Sequence, residues 1–264
     1  MAEPITSEQN PLIKEVRRAA SRGTLTSEGY ALAEGFHLLE EALASRVEIG
    51  SVIAAEAVTG EVEGMLNRTN LRVVSVPEKL FAGLSSTETP KGVLTLVRLK
   101  QWTLEDLLGS RPLIVLLDGV QDPGNAGAVV RSAEAFGATG VVFLKDSVHA
   151  HNPKCLRGSA GSIFRVPLVE RADAATVLDF LKTHAIGLYS GLPRAHTTVA
   201  DTELSGACAF AIGSEARGVS SLVESASTAI RIPTTAVESL NAAVAAAVLL
   251  YEVQRQRSSQ KRVS

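Results

Sequence analysis

Apolar positions along the chain recur at two spacings, and the switches between them divide the sequence into alternating helices and strands. Residues 11–20 and 28–44 carry apolar side chains at helical intervals, the second set including Leu32, Phe36, Leu39 and Leu43. Residues 47–54 and 71–76 read as strands on either side of a short helix at 60–68. The β-branched run GVLTLVRL at 92–99 closes this half as another strand. Together these elements predict a small α/β unit of about one hundred residues, an ordinary domain size. A linker with its own short helix, residues 100–111, leads onward.

Beyond the linker the alternation is cleaner. LIVLL at 113–117 is an unbroken apolar run, as expected of a strand covered on both faces. The pattern then predicts helices at 125–136, 153–159 and 172–184, strands at 140–144, 165–169, 186–190, 207–212 and 228–232, and a long helix from Ser239. Strands alternating with helices imply a mostly parallel sheet wrapped by helices. Ligands of such sheets sit beyond the carboxyl ends of the strands, which singles out the loops opening at Asp118, Ser190, Gly213 and Pro233. The chain of 264 residues therefore divides into a first domain at 1–108 and a second at 109–264.

Composition narrows the class without naming it. Hydrophobic residues make up 45% and charged residues 20%, which argues for a folded globular chain rather than disorder. The longest apolar stretch, 242–250, is far too short to span a membrane, and the opening MAEPITSEQN has no secretory pattern. Two cysteines, Cys155 and Cys208, make no disulfide framework and fit a cytoplasmic protein. The net charge of −2 does not advertise a nucleic-acid binder. Basic residues are nevertheless clustered: Lys14, Arg17, Arg18 and Arg22 lie on a predicted helix, and Arg255, Arg257, Lys261 and Arg262 lie in the tail. On charge alone these are solvated faces.

Three stretches carry candidate chemistry. DGVQDPGNAGAVVRSAEAFG at 118–137 follows a buried strand and enters a helix whose Val129, Val130, Ala133 and Phe136 share a stripe. Arg131 falls nearly opposite. Its glycines do not match the G-x-G-x-x-G of a dinucleotide fold, which disfavours a nicotinamide enzyme. AIGSEARGVS at 211–220 brackets Glu215 and Arg217 between glycines. It reads either as a simple chain reversal or as a backbone platform for a flat ligand, with Glu215 fixing the loop or meeting Arg131. RIPTTAVESLNAAVAAAVLLYE at 231–252 places Ser239 as a helix N-cap. The helix beyond it is apolar all round, as expected of a core helix or of one shared with a second subunit. His149, His151 and Cys155 fit no common zinc spacing, so no metal site is expected. GSAGS at 158–162 lacks the nucleophile-elbow pattern of a hydrolase.

Taken in order, DPGNAGAVVRSAEAFG, GSEARGV and IPTTAVESLNAAVAAAVLLYE resemble the three motifs of the SpoU/TrmH RNA 2′-O-ribose methyltransferases, members of the SPOUT superfamily. QNPLIKEVRRAASR, EGFHLLEEAL and TPKGVLTLV resemble that family's L30e-like substrate-binding domain. The resemblance implies a Rossmann-like sheet ending in a deep trefoil knot, preceded by the smaller α/β domain. It implies a homodimer that transfers a methyl group from S-adenosylmethionine to RNA, with large-subunit ribosomal RNA the expected substrate. Transfer RNA, or a non-catalytic RNA-binding role on the same fold, are the alternatives. By similarity, Arg131, Asn125, Glu215, Ser239 and Asn241 are the catalytic motif positions, and Gly213, Ile232 and Leu240 contact the cofactor; Ser190 and Gly191 are weaker candidates for that contact. The loop from Ile232 to Ser239 is one residue shorter than the usual family form and lacks its glycine.

Overall fold

The computed structural model describes residues 2–67 and 69–260. Arg68, the expected end of a short helix, and the basic residues Lys261 and Arg262 lie outside that set. The chain forms two compact units, Met1–Lys100 with His151–Phe164, and Gln101–Ala150 with Arg165–Ser264. The stretch expected as one second domain at 109–264 is thus interrupted, because His151–Phe164 packs with the first unit.

The first unit is built on a five-stranded sheet of β1 (Glu3–Pro4), β2 (Ala31–Glu34), β3 (Glu48–Ala55), β4 (Val73–Val76) and β5 (Val93–Arg98), in the order β1-β4-β3-β5-β2. β5 runs antiparallel to both neighbours, while β1, β4 and β3 are parallel. Helix α1 (Pro11–Arg22) starts where the Asn10 side chain accepts the Leu12 N–H, with proline in its first turn. It buries Ile13, Val16 and Ala19 against Leu32, Ile53, Val74 and Leu94 on one sheet face, alongside α4 (Glu78–Ala82). On the other face α2 (Phe36–Ala44) and α3 (Thr59–Leu66) bring Leu39, Val62 and Leu66 onto Val52, Ala54 and Val93.

One expectation fails here. Residues 28–44 are not a single helix. Ala31–Glu34 is a fully buried strand paired with β5, and Gly35, at φ 102°, separates it from α2. Only glycine adopts that conformation without strain, so the helical spacing of Leu32 with Phe36 spans two elements.

The second unit is a six-stranded, wholly parallel sheet, as the alternation implied. Its strands are β6 (Leu113–Asp118), β7 (Gly140–Leu144), β8 (Leu168–Ala172), β9 (Gly187–Gly191), β10 (Cys208–Gly213) and β11 (Thr228–Ile230), ordered β11-β9-β10-β6-β7-β8. Helix α5 (Pro123–Ala135) comes directly after β6. Helix α6 (Pro153–Ser159) sits in the segment that joins the first unit, where it packs on β2. Helices α7 (Ala174–Thr183) and α8 (Ser221–Ser225) lie over one face of the parallel sheet, where Phe180, Leu181 and Val223 meet Ile114, Leu116 and Val142. Helix α9 (Ala242–Gln260) packs on α5 and β10.

The tail arginines that the sequence offered as a basic run are used structurally. Arg255 pairs with Glu252 at 2.7 Å, and Arg257 donates to the carbonyls of Arg111, Pro112 and Gly206. Among the described residues no helix is long and apolar enough to cross a membrane.

Both cysteines are buried, and burial pushes the Cys208 thiol up to about 11. Thiolate, not thiol, is the nucleophile. Alkylation at pH 9 should leave Cys208 unmodified in native protein and label it once urea unfolds the chain. Peptide mass spectrometry reads this directly, and equal labelling of both states would contradict the burial. The folded thiol also keeps its proton where the unfolded one, near 9, loses it. This residue therefore erodes stability as pH rises from about 9 toward 11 and has no effect below.

Candidate active site

The strand order reverses beside β6: the chain moves out through β7 and β8 on one side and returns to β10 on the other. Such a reversal opens a crevice at the strands' carboxyl ends. Asp118 and Gly213 are register partners there. A cavity of about 280 Å³ lies at this end of the second unit, lined by three separated stretches. Gly191, Leu192 and Pro193 come after β9; Ile212–Gly213 and Gly218–Val219 come from the end of β10 and its loop; Ile232, Ser239 and Leu240 come after β11. Ala242, Ala245 and Leu249 of α9 form an apolar side, and Glu215 and Glu238 supply carboxylates.

All three residues expected to contact a cofactor, Gly213, Ile232 and Leu240, line this cavity, as do Glu215, Ser239 and Gly191. Ser190 is fully buried and takes a hydrogen bond from Ser227 Oγ at 2.7 Å. The loop after Ile232 closes on itself through Thr234 Oγ1, which donates to the Val237 carbonyl at 2.7 Å.

The motif residues are joined by hydrogen bonds. Asn125 Nδ2 donates to Glu215 Oε1 at 2.6 Å, and Asn241 Nδ2 donates to Asn125 Oδ1 at 3.0 Å. One chain of amides and a carboxylate therefore ties α5, the β10 loop and the start of α9 together, across 90 and 116 residues of sequence. Each link has a local cause. Asn125 sits in the first turn of α5, whose N-cap Asp122 accepts the Asn125 N–H at 2.7 Å. Asn241 Oδ1 accepts from the N–H groups of Ala243 and Val244. Asn241, not Ser239, is therefore the N-cap of α9, which corrects the expectation from spacing. Glu215 meets Asn125 and not Arg131.

Arg131 is exposed on α5 and is not part of the cavity wall. It shares a helix face with Ala128 and is next to Ser132. Ala128 and Ser132 line a shallow groove with Ala243, Val244, Ala247, Val248 and Tyr251 of α9. Val244 and Tyr251 are about half exposed, an open apolar surface along α9. His149, which fits no common zinc spacing with its neighbours, has its Nδ1 3.7 Å from the Glu170 carboxylate.

Sequence reasoning missed Leu192, Pro193, Val219, Thr234, Ala245 and Leu249 of the cavity wall. The spacing of 242, 245 and 249 is one helical stripe, and that signal was hidden because the helix is apolar all round.

A model of the SpoU rRNA methylase family matches residues 112–251, and one of the MRM3-like substrate-binding domain matches 10–95. The 23S rRNA (guanosine(2553)-2′-O)-methyltransferase RlmP of Bacillus subtilis (strain 168) is 30% identical over 94% of this chain and 98% of its own. A crystal structure of an RNA 2′-O ribose methyltransferase superposes with a TM-score of 0.82 at 34% identity, covering 97% of this chain and 99% of that one. The SpoU methyltransferase AviRb from Streptomyces viridochromogenes, solved in complex with AdoMet, shares the fold at a TM-score of 0.85 and 24% identity. That match covers 95% of this chain and 99% of AviRb.

Gly213 cannot carry a side chain. A Cβ there would lie 2.1 Å from the Gly218 carbonyl carbon and 2.2 Å from the Val219 nitrogen. Gly213→Ala should cost about 1–3 kcal/mol as overpacking. Gly206→Ala, where nothing lies within 4 Å, should stay within about 0.5 kcal/mol of the parent. Urea denaturation compares the two, and equal midpoints would refute the close approach.

Proposed function

The chain belongs to the SpoU rRNA methylase family, and on that premise we propose that it transfers the methyl group of S-adenosylmethionine to a ribose 2′-oxygen of large-subunit ribosomal RNA. The observation that carries this reading is that the stretches at 211–220 and 231–252 line one cavity, and the stretch at 118–137 is tied to both through Asn125, Glu215 and Asn241. The cavity suits the donor. Its apolar side of Ala245, Leu249 and Ile232 accommodates an adenine ring between loop backbones, while Glu215 and Glu238 favour a cationic ligand. When bound, the sulfonium supplies an activated methyl group. Gly213, Ile232 and Leu240 hold it, and the Asn125–Glu215–Asn241 chain keeps the walls in register. Relatives matched over nearly the whole length, first unit included, support ribosomal RNA as the acceptor. In this reading the first unit holds unpaired RNA, the C-terminal segment is threaded as a trefoil knot, and the enzyme works in the cytoplasm.

Arg131 is the proposed catalytic arginine. A guanidinium is effectively always protonated, so it does not serve as a general base. Its roles are to grip a phosphate of the target nucleotide and to stabilise the 2′-oxygen as negative charge develops and the hydroxyl proton passes to solvent. Alignment of that oxygen with the methyl carbon lowers the rest of the barrier as the O–C bond forms and the C–S bond breaks, releasing the donor as its thioether. Six residues separate Asn125 from Arg131, about 9 Å along α5 and 120° around it. Turned toward Glu215 at one end, the helix presents Arg131 beside the apolar groove of α5 and α9. A second copy seated on that groove forms a homodimer and brings Arg131 to the subunit boundary.

Replacing Arg131 by Ala should lower methyl transfer to ribosomal RNA by at least about a hundredfold with the affinity for S-adenosylmethionine unchanged. Radiolabelled methyl transfer and calorimetry measure the two. Full activity in the variant ends the assignment, and preferential labelling of transfer RNA would redirect the substrate.

Val244→Asp, placing a charge in the groove, should convert the dimer to monomer in sedimentation at micromolar concentration. A parent that sediments as a monomer would refute the shared site.

A further inference from the structure

We propose that Asp118 is a positioning residue for the methyl-donor cavity, holding the far end of the Gly213–Ser220 loop so that its backbone and Glu215 stay in place. This rests on the reading of the cavity as the S-adenosylmethionine site. Asp118 is the last residue of the central strand β6, is 8% exposed, and is not itself part of the cavity wall. Its Oδ2 accepts the Ser220 N–H at 2.6 Å, a charge-assisted hydrogen bond of short length.

The loop that ends at Ser220 is held at three points. It leaves β10 at Gly213, which packs directly on Gly218 and Val219. Ser214 and Gly218 exchange backbone hydrogen bonds of 3.0 and 2.8 Å. Asp118 closes the third point, where α8 begins. Ser220 is the N-cap of that helix, and its own side chain makes no capping bond. A carboxylate from a different strand thus supplies the acceptor at this junction. The carboxylate is itself well aimed. Ser147 Oγ accepts the Gly119 N–H at 3.0 Å and donates to the Leu117 carbonyl at 2.7 Å, fixing the backbone on both sides of Asp118. The result is preorganisation: the donor meets a loop already in its bound shape, and less of the binding energy goes into ordering it.

Calorimetric titration of S-adenosylmethionine and steady-state kinetics on the full chain test this. Asp118→Ala should weaken donor binding by roughly tenfold or more, the loss for a hydrogen bond to a charged group. KM for the donor should rise alongside, with kcat at saturating donor within about twofold, since only uniform binding is lost. Asp118→Asn keeps an oxygen that accepts the same N–H and should bind close to the parent. Ser220→Pro removes the donor at φ −66°, a proline value, but sets its Cδ against the carboxylate; it should weaken binding at least as much, and adding Asp118→Ala, which relieves that clash, should make it no worse. Thermal melts establish that each variant is folded. Parent protein that binds no donor removes the underlying reading. A parent that binds while Asp118→Ala binds equally well, or an Asn variant as weak as the Ala variant, overturns the positioning role.

Discussion

The parallel pairing of β6 with β10 is the constraint on which the second unit depends. These strands are distant in sequence, 113–118 against 208–213, yet they lie side by side with Leu113 opposite Cys208 and Asp118 opposite Gly213. Parallel neighbours cannot be joined by a tight turn, so the chain between them must form β7, β8, α7 and β9 elsewhere. That detour leaves the carboxyl ends of β6 and β10 adjacent, with their outgoing loops diverging. The cavity opens on the β10 side of this pairing, walled by the segments after β9, β10 and β11 and by α9.

Polar contacts then convert a crevice into a defined site. Packing fixes the sheet and anchors the loops beyond it at single residues such as Val120 and Val219. Elsewhere they are held by hydrogen bonds: Asn125 to Glu215, Asn241 to Asn125, Asp118 to the Ser220 backbone. Groups of this kind are individually modest in water-exposed positions. Their joint effect is geometric, because each closes a loop that already has one end anchored on a strand.

Much of this was legible in the sequence, for identifiable reasons. The continuous apolar run at 113–117 announced a strand buried on both faces, and β6 is one. Gly213 and Gly218 bracket a loop that does line the cavity, and glycine is demanded at 213 because a Cβ there would meet the Gly218 backbone at 2.1 Å, a closeness that no sequence pattern displays. Residues 28–44 misled because a buried four-residue strand and a helix happened to share a helical spacing across Gly35. The capping role of Asn241 was hidden because Ser239 is an equally good capping residue on propensity; only the fold decides which side chain reaches the free N–H groups. The excursion of His151–Phe164 into the first unit was not legible either. Its reason is tertiary: Arg157 lies 3.7 Å from the buried Glu34 and donates to Ser86 Oγ at 3.0 Å, contacts that no local pattern encodes.

The exposed place of Arg131, outside the cavity wall, is accounted for by the proposed shared site. An arginine that binds phosphate must stay accessible to a large, flexible acceptor, whereas a small donor is best held in a closed cavity. The two demands conflict if both are met on one face of α5, since the turn carrying Asn125 is committed to Glu215 and the stripe Ala126, Val129, Val130 and Ala133 is buried. Arg131 lies on the open side, next to an apolar groove of seven residues shared by α5 and α9, and the proposed dimer assembly would resolve the conflict. In the proposed reading, the donor is bound by loops within a subunit and the acceptor is gripped where two subunits meet. The apolar first half of α9, 242–250, otherwise unfavourable for a surface helix, fits the same proposed division: one side lines the cavity, and the other would pack on a second copy.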